Sequence, residues 1–278
     1  MTLDDITIVI TTFNSDKKIT SCLDSIANKC KVIIVENSKN KNLKKELEKK
    51  YSNVSCIIAD TNLGYSKSNN LGLSKVSTRY SLILNPDTLL EENTLNNFIS
   101  SVKKNNDFAI LGPLLYQGKN YSLDTLNQIE VENLKGFAMF LNMEKFKKIG
   151  FFDENFFLYF EEIDLCKRVR NFKEKIYLDP TIKIFHKGAS SVDDSFKDEI
   201  ELTRNWHWMW STFYYHKKHK NFLIALIIIF PKLFSSIFKV IFFSLVFNKK
   251  QRKIYYQRLS GIINSIIGKN SWYRPSLD

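Results

Sequence analysis

The chain has 278 residues, 44% of them hydrophobic and 25% charged, with only nine glycines and five prolines. That composition supports a buried core and excludes a disordered, collagen-like or low-complexity chain. The net charge of +12 is localised: residues 1–203 balance 28 cations against 28 acids, whereas residues 204–278 hold 13 cations and one acid, Asp278. Such asymmetry predicts a neutral body over 1–203 and a basic extension over 204–278 that seeks an anionic partner.

The start, MTLDDITIVITTF, carries two acids and a five-residue apolar run before Thr11, so no signal peptide is expected. The four cysteines (Cys22, Cys30, Cys56, Cys166) form neither a CxxC pair nor a zinc-ligand spacing and read as free thiols of a reducing compartment. Residues 6–11, 31–36, 54–59 and 80–85 are short β-branched runs bounded by polar turns, which predicts buried strands. Between them, 16–28, 41–51 and 66–76 have helical spacing; Ile19, Leu23 and Ile26 share one face. Strand alternating with helix predicts an α/β fold, Rossmann-like, with a mostly parallel sheet flanked by helices. Ligands of such sheets sit beyond the carboxyl ends of the strands, which places Thr11–Ser15, Glu36–Ser38, Asp60–Gly64 and Asn85–Thr88 at the site. Residues 112–131 have weak periodicity and are expected to be loop-rich, 134–142 reads as a strand, and 161–170 reads as a helix.

Four segments could carry chemistry. In LNPDT (84–88), Asp87 would place a carboxylate at the sheet edge for a hard divalent cation, or close an Asx turn. Glu161, Glu162 and Asp164 lie within four residues; mutual repulsion suits one of them to general base work, although helix-start acids also cap, and Asp164 can pair with Arg168. His186, at a predicted strand end, is a candidate metal ligand or a structural imidazole. NLGYSKSNN (62–70) offers backbone N–H groups at a helix start, but neither GxGxxG nor the P-loop pattern is present.

In this order, TTFNS (11–15), VENS (35–38), NLGYSKSNN, LNPDT, FDENFFLYFEEIDLCKRVR (152–170) and HKGASS (186–191) resemble the motifs of family 2 glycosyltransferases with the GT-A fold, especially a bacterial branch that includes many rhamnosyltransferases. The resemblance runs over residues 6–191. It implies an inverting, metal-dependent transferase acting on a dTDP- or UDP-sugar. Thr11, Phe13, Asn14, Glu36, Asn37, Asn62, Gly64, Asn70, Asn85 and Asp87 would then face the nucleotide-sugar, and Asp87 with His186 would hold Mn²⁺ or Mg²⁺. Glu162 matches the base position, with Glu161 and Asp164 beside it. The chain departs from the family pattern at Asn85, where the first acid of a DxD motif would stand, and at Glu162, one methylene longer than the usual aspartate. The base therefore stays open between Glu161 and Glu162. The acceptor implied is a lipid-linked or surface-glycan hydroxyl.

The extension crowds aromatics against cations at 203–220, is very apolar over 221–248, and closes on KKQRK (249–253). The apolar run before Pro231 is nine residues, too short for a span, and cations flank both sides. This predicts helices lying on an anionic membrane surface, at the cytoplasmic face of the plasma membrane, with aromatics at headgroup level. A kinked span and a homo-oligomer interface are the alternatives. Nucleic acid is not the expected partner, because the apolar mass exceeds what a groove needs and the body adds no net charge. A sugar nucleotidyltransferase and a non-catalytic scaffold are the rival functions; the former calls for a glycine-rich loop where this chain has TTFNSDKK.

Overall fold

A computed structural model describes residues 1–116, 127–186 and 196–275. The chain divides into two compact units, residues 1–152 with 162–193, and residues 153–161 with 194–278.

The first unit follows the predicted alternation through its first half: β1 (Ile6–Thr12), α1 (Asp16–Ile26), β2 (Lys31–Glu36), α2 (Lys41–Lys50), β3 (Val54–Ile58), α3 (Gly64–Leu73) and β4 (Tyr80–Leu84). Helix α1 buries Ile19, Cys22, Leu23 and Ile26, the predicted face with one cysteine added. It ends at Ala27 and Asn28, both left-handed. There follow β5 (Thr88–Leu90), α4 (Thr94–Lys104), β6 (Ile110–Tyr116), β7 (Ile129–Glu130), β8 (Ala138–Asn142), α5 (Met143–Ile149), α6 (Glu161–Asn171) and β9 (Ile176–His186). The strands form one sheet in the order β3-β2-β1-β4-β8-β6-β9-β5, with β7 paired to β9.

The sheet is mixed. Strands β1 to β4 pair in parallel, so all four carboxyl ends lie on one edge. Beyond β4, β8 runs antiparallel to both β4 and β6, and β5 and β7 run antiparallel to β9. Parallel pairing is thus continuous where strand and helix alternate; beyond β4 the pairing is antiparallel except between β6 and β9, which run parallel. Residues 112–116, expected in a loop, belong to β6. Pro113 removes a ladder donor, and the register against β9 shifts between Pro113 and Leu114, the kind of irregularity that admits proline. Of the rest of that predicted loop, 117–126 lies outside the described residues, and Ile129–Glu130 form β7.

One face of the sheet is filled by aromatics: Phe140 stacks on Phe98 at 4.8 Å and on Tyr80 at 5.2 Å between ring centroids. All four cysteines are buried and free. Burial pushes the Cys22 thiol up to about 12, so it stays protonated and serves as core.

The second unit contains α7 (Lys197–His219), α8 (Phe222–Leu245) and α9 (Lys249–Ile266), each packed on the other two. The change in charge at residue 203 falls inside α7. Trp206 and Trp210 of α7 are buried rather than at a membrane surface. They bond Ser260 Oγ at 3.1 Å and the Lys269 carbonyl at 2.9 Å, so these two rings are core of the bundle. Gly261 of α9 lies so near α7 that a Cβ there would sit 2.3 Å from the Trp206 carbonyl oxygen.

Helix α8 runs unbroken through Pro231. Its 24 residues span about 36 Å at 1.5 Å per residue, so the expectation that Pro231 leaves too short a segment is corrected. Length and mean hydropathy (2.1) would suffice for a crossing. Ala225, Ile229 and Ser236 face the bundle, while Leu223, Ile227, Phe230, Phe234, Phe238, Ile241 and Leu245 form one exposed stripe along its length.

Candidate active site

The ends of β1 and β2 are laced together. Asn37 N–H donates to the Thr12 carbonyl at 3.0 Å, and Asn14 N–H to Ser38 Oγ at 3.3 Å. Asn14 is left-handed (φ 47°), a conformation that asparagine tolerates better than most residues. The fully buried Glu36 accepts from the backbone N–H groups of Ser38 (2.8 Å) and Asn40 (2.7 Å), and from the Ser38 hydroxyl. Its carboxylate therefore shapes the β2–α2 turn. Asn37 Oδ1 accepts from Leu63 N–H (3.2 Å) and Ser68 Oγ (2.8 Å), tying β2 to the start of α3.

That start is itself built by local bonds. Asn62 Oδ1 accepts from Gly64 N–H at 3.1 Å, and Gly64 has φ 75°, where a side chain would be strained. Asn70 binds the backbone of Phe152 in both directions, at 2.9 and 3.0 Å. The buried Thr11 and Thr12 hydroxyls have no partner among the described residues.

Past β4, the chain turns through Asn85 and Asp87 into β5. Antiparallel pairing sets Thr88 opposite His186, the last residue of β9, and so brings the imidazole beside the turn. His186 Nε2 lies 3.2 Å from Asp87 Oδ1 and 3.5 Å from Asn85 Nδ2. Both side chains are largely enclosed, His186 at 15% and Asp87 at 2% exposure. Phe137 stacks flat on the imidazole at 5.0 Å, and its carbonyl accepts from Asn85 N–H at 2.9 Å. A carboxylate, an imidazole nitrogen and an amide able to turn its oxygen inward make a small donor set that suits a divalent cation sharing its remaining positions with phosphate and water. Among the described residues, no three His, Cys, Asp or Glu side chains converge as a metal cluster. The remainder of HKGASS, 187–191, lies outside them.

Gly136 links this turn to the acidic helix. A Cβ at Gly136 would sit 3.4 Å from Glu162 Cβ and 3.5 Å from the Tyr65 hydroxyl, which donates to the Gly136 carbonyl. One residue therefore faces Glu162, and the next stacks on His186. Glu162 Oε2 is buried and has no hydrogen-bond partner among the described residues. Burial pushes its carboxyl above the ordinary range, against bonds from the backbone N–H groups of Glu162 and Ile163. Asp164 differs. Asp164 is fully buried and holds Arg168 Nε at 2.9 Å; that guanidinium also donates to the carbonyls of Ile149 (3.0 Å), Gly150 (3.1 Å) and Phe151. Asp164 thus fixes a loop. Glu161, also buried, belongs to the second unit. Tyr65 and Phe137 were not among the predicted site residues, since neither carries a charge or a turn signal.

Fold and site together define a mixed α/β protein whose polar loops converge at the carboxyl edge of parallel strands, with a carboxylate–imidazole pair at one turn and an acidic helix start beside it. The chain belongs to glycosyl transferase family 2, whose family model matches residues 7–166. It is 24% identical over 194 residues to the low-salt glycan biosynthesis hexosyltransferase Agl10 of Haloferax volcanii, covering 60% of this chain and 62% of that one. The chain thus spans about three fifths of this curated relative. Solved structures share the GT-A fold. The mannosyltransferase PcManGT from Pyrobaculum calidifontis, in complex with GDP-Man and Mn²⁺, superposes with a TM-score of 0.58 at 10% identity, covering 96% of this chain and 89% of that one. GalNAc-T7 with UDP, GalNAc and Mn²⁺ gives 0.58 at 13% identity over 74% of this chain and 51% of its own. TarS of S. aureus gives 0.56 at 12% identity over 95% and 55%.

Proposed function

We propose that the protein transfers a sugar from a nucleoside-diphosphate donor to an acceptor hydroxyl with inversion at the anomeric carbon. The observation that carries this reading is the pairing of one proton acceptor, Glu162 with its enclosed Oε2, with a separate donor set at Asp87 and His186, the two linked through Gly136 and Phe137. Family membership and neighbours solved with UDP or GDP-Man support it.

Asp87 and His186 would hold a divalent cation, which when bound would supply Lewis-acid stabilisation for the departing diphosphate. Thr11, Phe13, Asn14, Asn37, Asn62, Gly64 and Asn70 line or shape the edge where base and ribose lie, and Glu36 fixes the turn that presents Asn37 and Ser38. Glu162 takes the proton of the acceptor hydroxyl as its oxygen bonds to the anomeric carbon from the side opposite the diphosphate. Its raised pKa makes it a stronger base than an ordinary glutamate. Asp164, through Arg168 and the 149–151 carbonyls, keeps α6 in place. The acceptor class we favour is a lipid-linked or surface glycan, since the exposed apolar stripe of α8 and the basic extension suit an anionic membrane surface.

Calorimetric titration of the full chain with UDP, GDP and dTDP, with and without Mn²⁺, tests the reading. One nucleotide should bind in a cation-dependent manner, and Asp87→Ala should weaken it at least tenfold. Failure of all three nucleotides to bind a folded protein would sink it.

A further inference from the structure

Two consecutive residues immediately before α6, Tyr159 (φ 69°) and Phe160 (φ 70°), are left-handed. Bulky aromatic residues avoid that region, and a pair of them persists only where the surroundings over-determine the backbone. The surroundings here come from one face of α7. Trp208 meets Tyr159 edge-on at 5.2 Å and Phe160 at 5.4 Å between ring centroids. Tyr215, two turns on, meets Phe160 at 5.3 Å, and Ser211 between them donates to the Leu158 carbonyl at 2.9 Å. Positions 208, 211 and 215 share a helix face, so residues 158–160 are read out by a single stripe. An aromatic as exposed as Trp208 (43%) contributes little to a core, yet it touches both strained residues.

We propose that α7 is a positioning element for catalysis: Trp208, Ser211 and Tyr215 hold Tyr159–Phe160 in the left-handed conformation and thereby set the first turn of α6, where Glu162 follows two residues later. The basic extension therefore does more than associate with a surface; it fixes the entry to the acidic helix. This rests on the reading of Glu162 as the base.

The test uses the full chain with Trp208→Ala and Trp208→Phe, read by hydrogen exchange and by steady-state transfer. In Trp208→Ala, amides of 161–165 should exchange at least tenfold faster while those of β1 and β2 are unchanged. Turnover should fall at least tenfold with donor KM within twofold, and Trp208→Phe should restore both. Phe160→Asn, which accepts a positive φ readily, should slow exchange again in the Trp208→Ala background, an outcome that mere loss of packing does not give. Unchanged exchange at 161–165 in a folded Trp208→Ala protein overturns the proposal, whatever the turnover. If Trp208→Ala loosens α7 and α9 as a whole, Tyr215→Leu decides by the same criteria. Retention of turnover by Glu162→Gln would instead remove the base assignment, while the exchange result would still report on α7, so the two failures are separable.

Discussion

Glu162 has a function and a cost that come from the same burial. The native state keeps its proton to a higher pH than the unfolded chain does, so in the window above the ordinary glutamate value of 4.5 stability falls as pH rises. Above the raised value the full penalty is present. Glu162→Gln removes the ionising group, so it should raise the melting temperature at neutral pH and leave it unchanged at pH 4, where both forms are neutral. The same substitution should lower turnover by about 10²–10⁴-fold, the usual contribution of a general base, while nucleotide affinity is retained. Scanning calorimetry at two pH values, nucleotide titration and a transfer assay check these four outcomes. A melting temperature that drops at neutral pH would show that Glu162 is held charged by a partner, and would refute the desolvation account. Asp164 should behave in the opposite way. Asp164→Asn leaves Arg168 without its buried counter-ion and loosens the 149–151 carbonyls, so it should destabilise the fold by about 3–5 kcal/mol.

At the scale of elements, close approach is what sequence periodicity hides. Gly261 lies within a polar helix and carries no local signal, yet a Cβ there would meet the Trp206 carbonyl at 2.3 Å. Backbone cannot give way as a side chain can, so Gly261→Ala should destabilise the protein by about 1–3 kcal/mol despite its better helix propensity. Thermal melting checks this, and an unchanged or raised melting temperature would mean that α7 and α9 can separate at no cost. The same contrast explains which elements were legible. Strands β1 to β4 and helices α1 to α3 are each one local pattern ending in a polar turn, so residues and boundaries agree to within a few positions. Strand β6 was not legible, because Gly112 and Pro113 look like a turn until β9 supplies the irregular register that accommodates them. Nor was the juxtaposition of His186 with Asp87, which depends on Thr88 pairing opposite His186 across about a hundred residues of sequence. Motif order pointed to both residues. Only the sheet brings them within 3.2 Å.

At the scale of the molecule, the helical unit carries an apolar stripe and a set of cations together. Helix α8 is long enough to cross a bilayer, but its inner face packs on α7 and α9, and α9 carries Lys249, Lys250, Arg252, Lys253 and Arg258. A spanning α8 would have to leave these partners or drag their charges into hydrocarbon, at a cost of a few kcal/mol per cation or more. Lying on a membrane surface would keep the bundle intact and let the stripe from Leu223 to Leu245 enter the acyl boundary. Lys250 is already engaged by Asp198 at 2.9 Å and Glu201 at 3.4 Å, and Arg258 by Asn205 Oδ1 at 2.6 Å, so the α9 cations that would count toward lipid are Lys249, Arg252 and Lys253. At about 1 kcal/mol each near an anionic surface, replacing the three with Gln should weaken partitioning on the order of a hundredfold. Flotation of the full chain with phosphatidylcholine vesicles, with and without phosphatidylglycerol, measures this. Binding should require the anionic lipid and fall with salt, and Phe234→Ser with Phe238→Ser should abolish what remains at high salt. Protein that resists extraction from membranes by alkaline carbonate would establish a span instead. A salt-insensitive dimer that ignores both vesicles would show that the stripe is covered by a second copy.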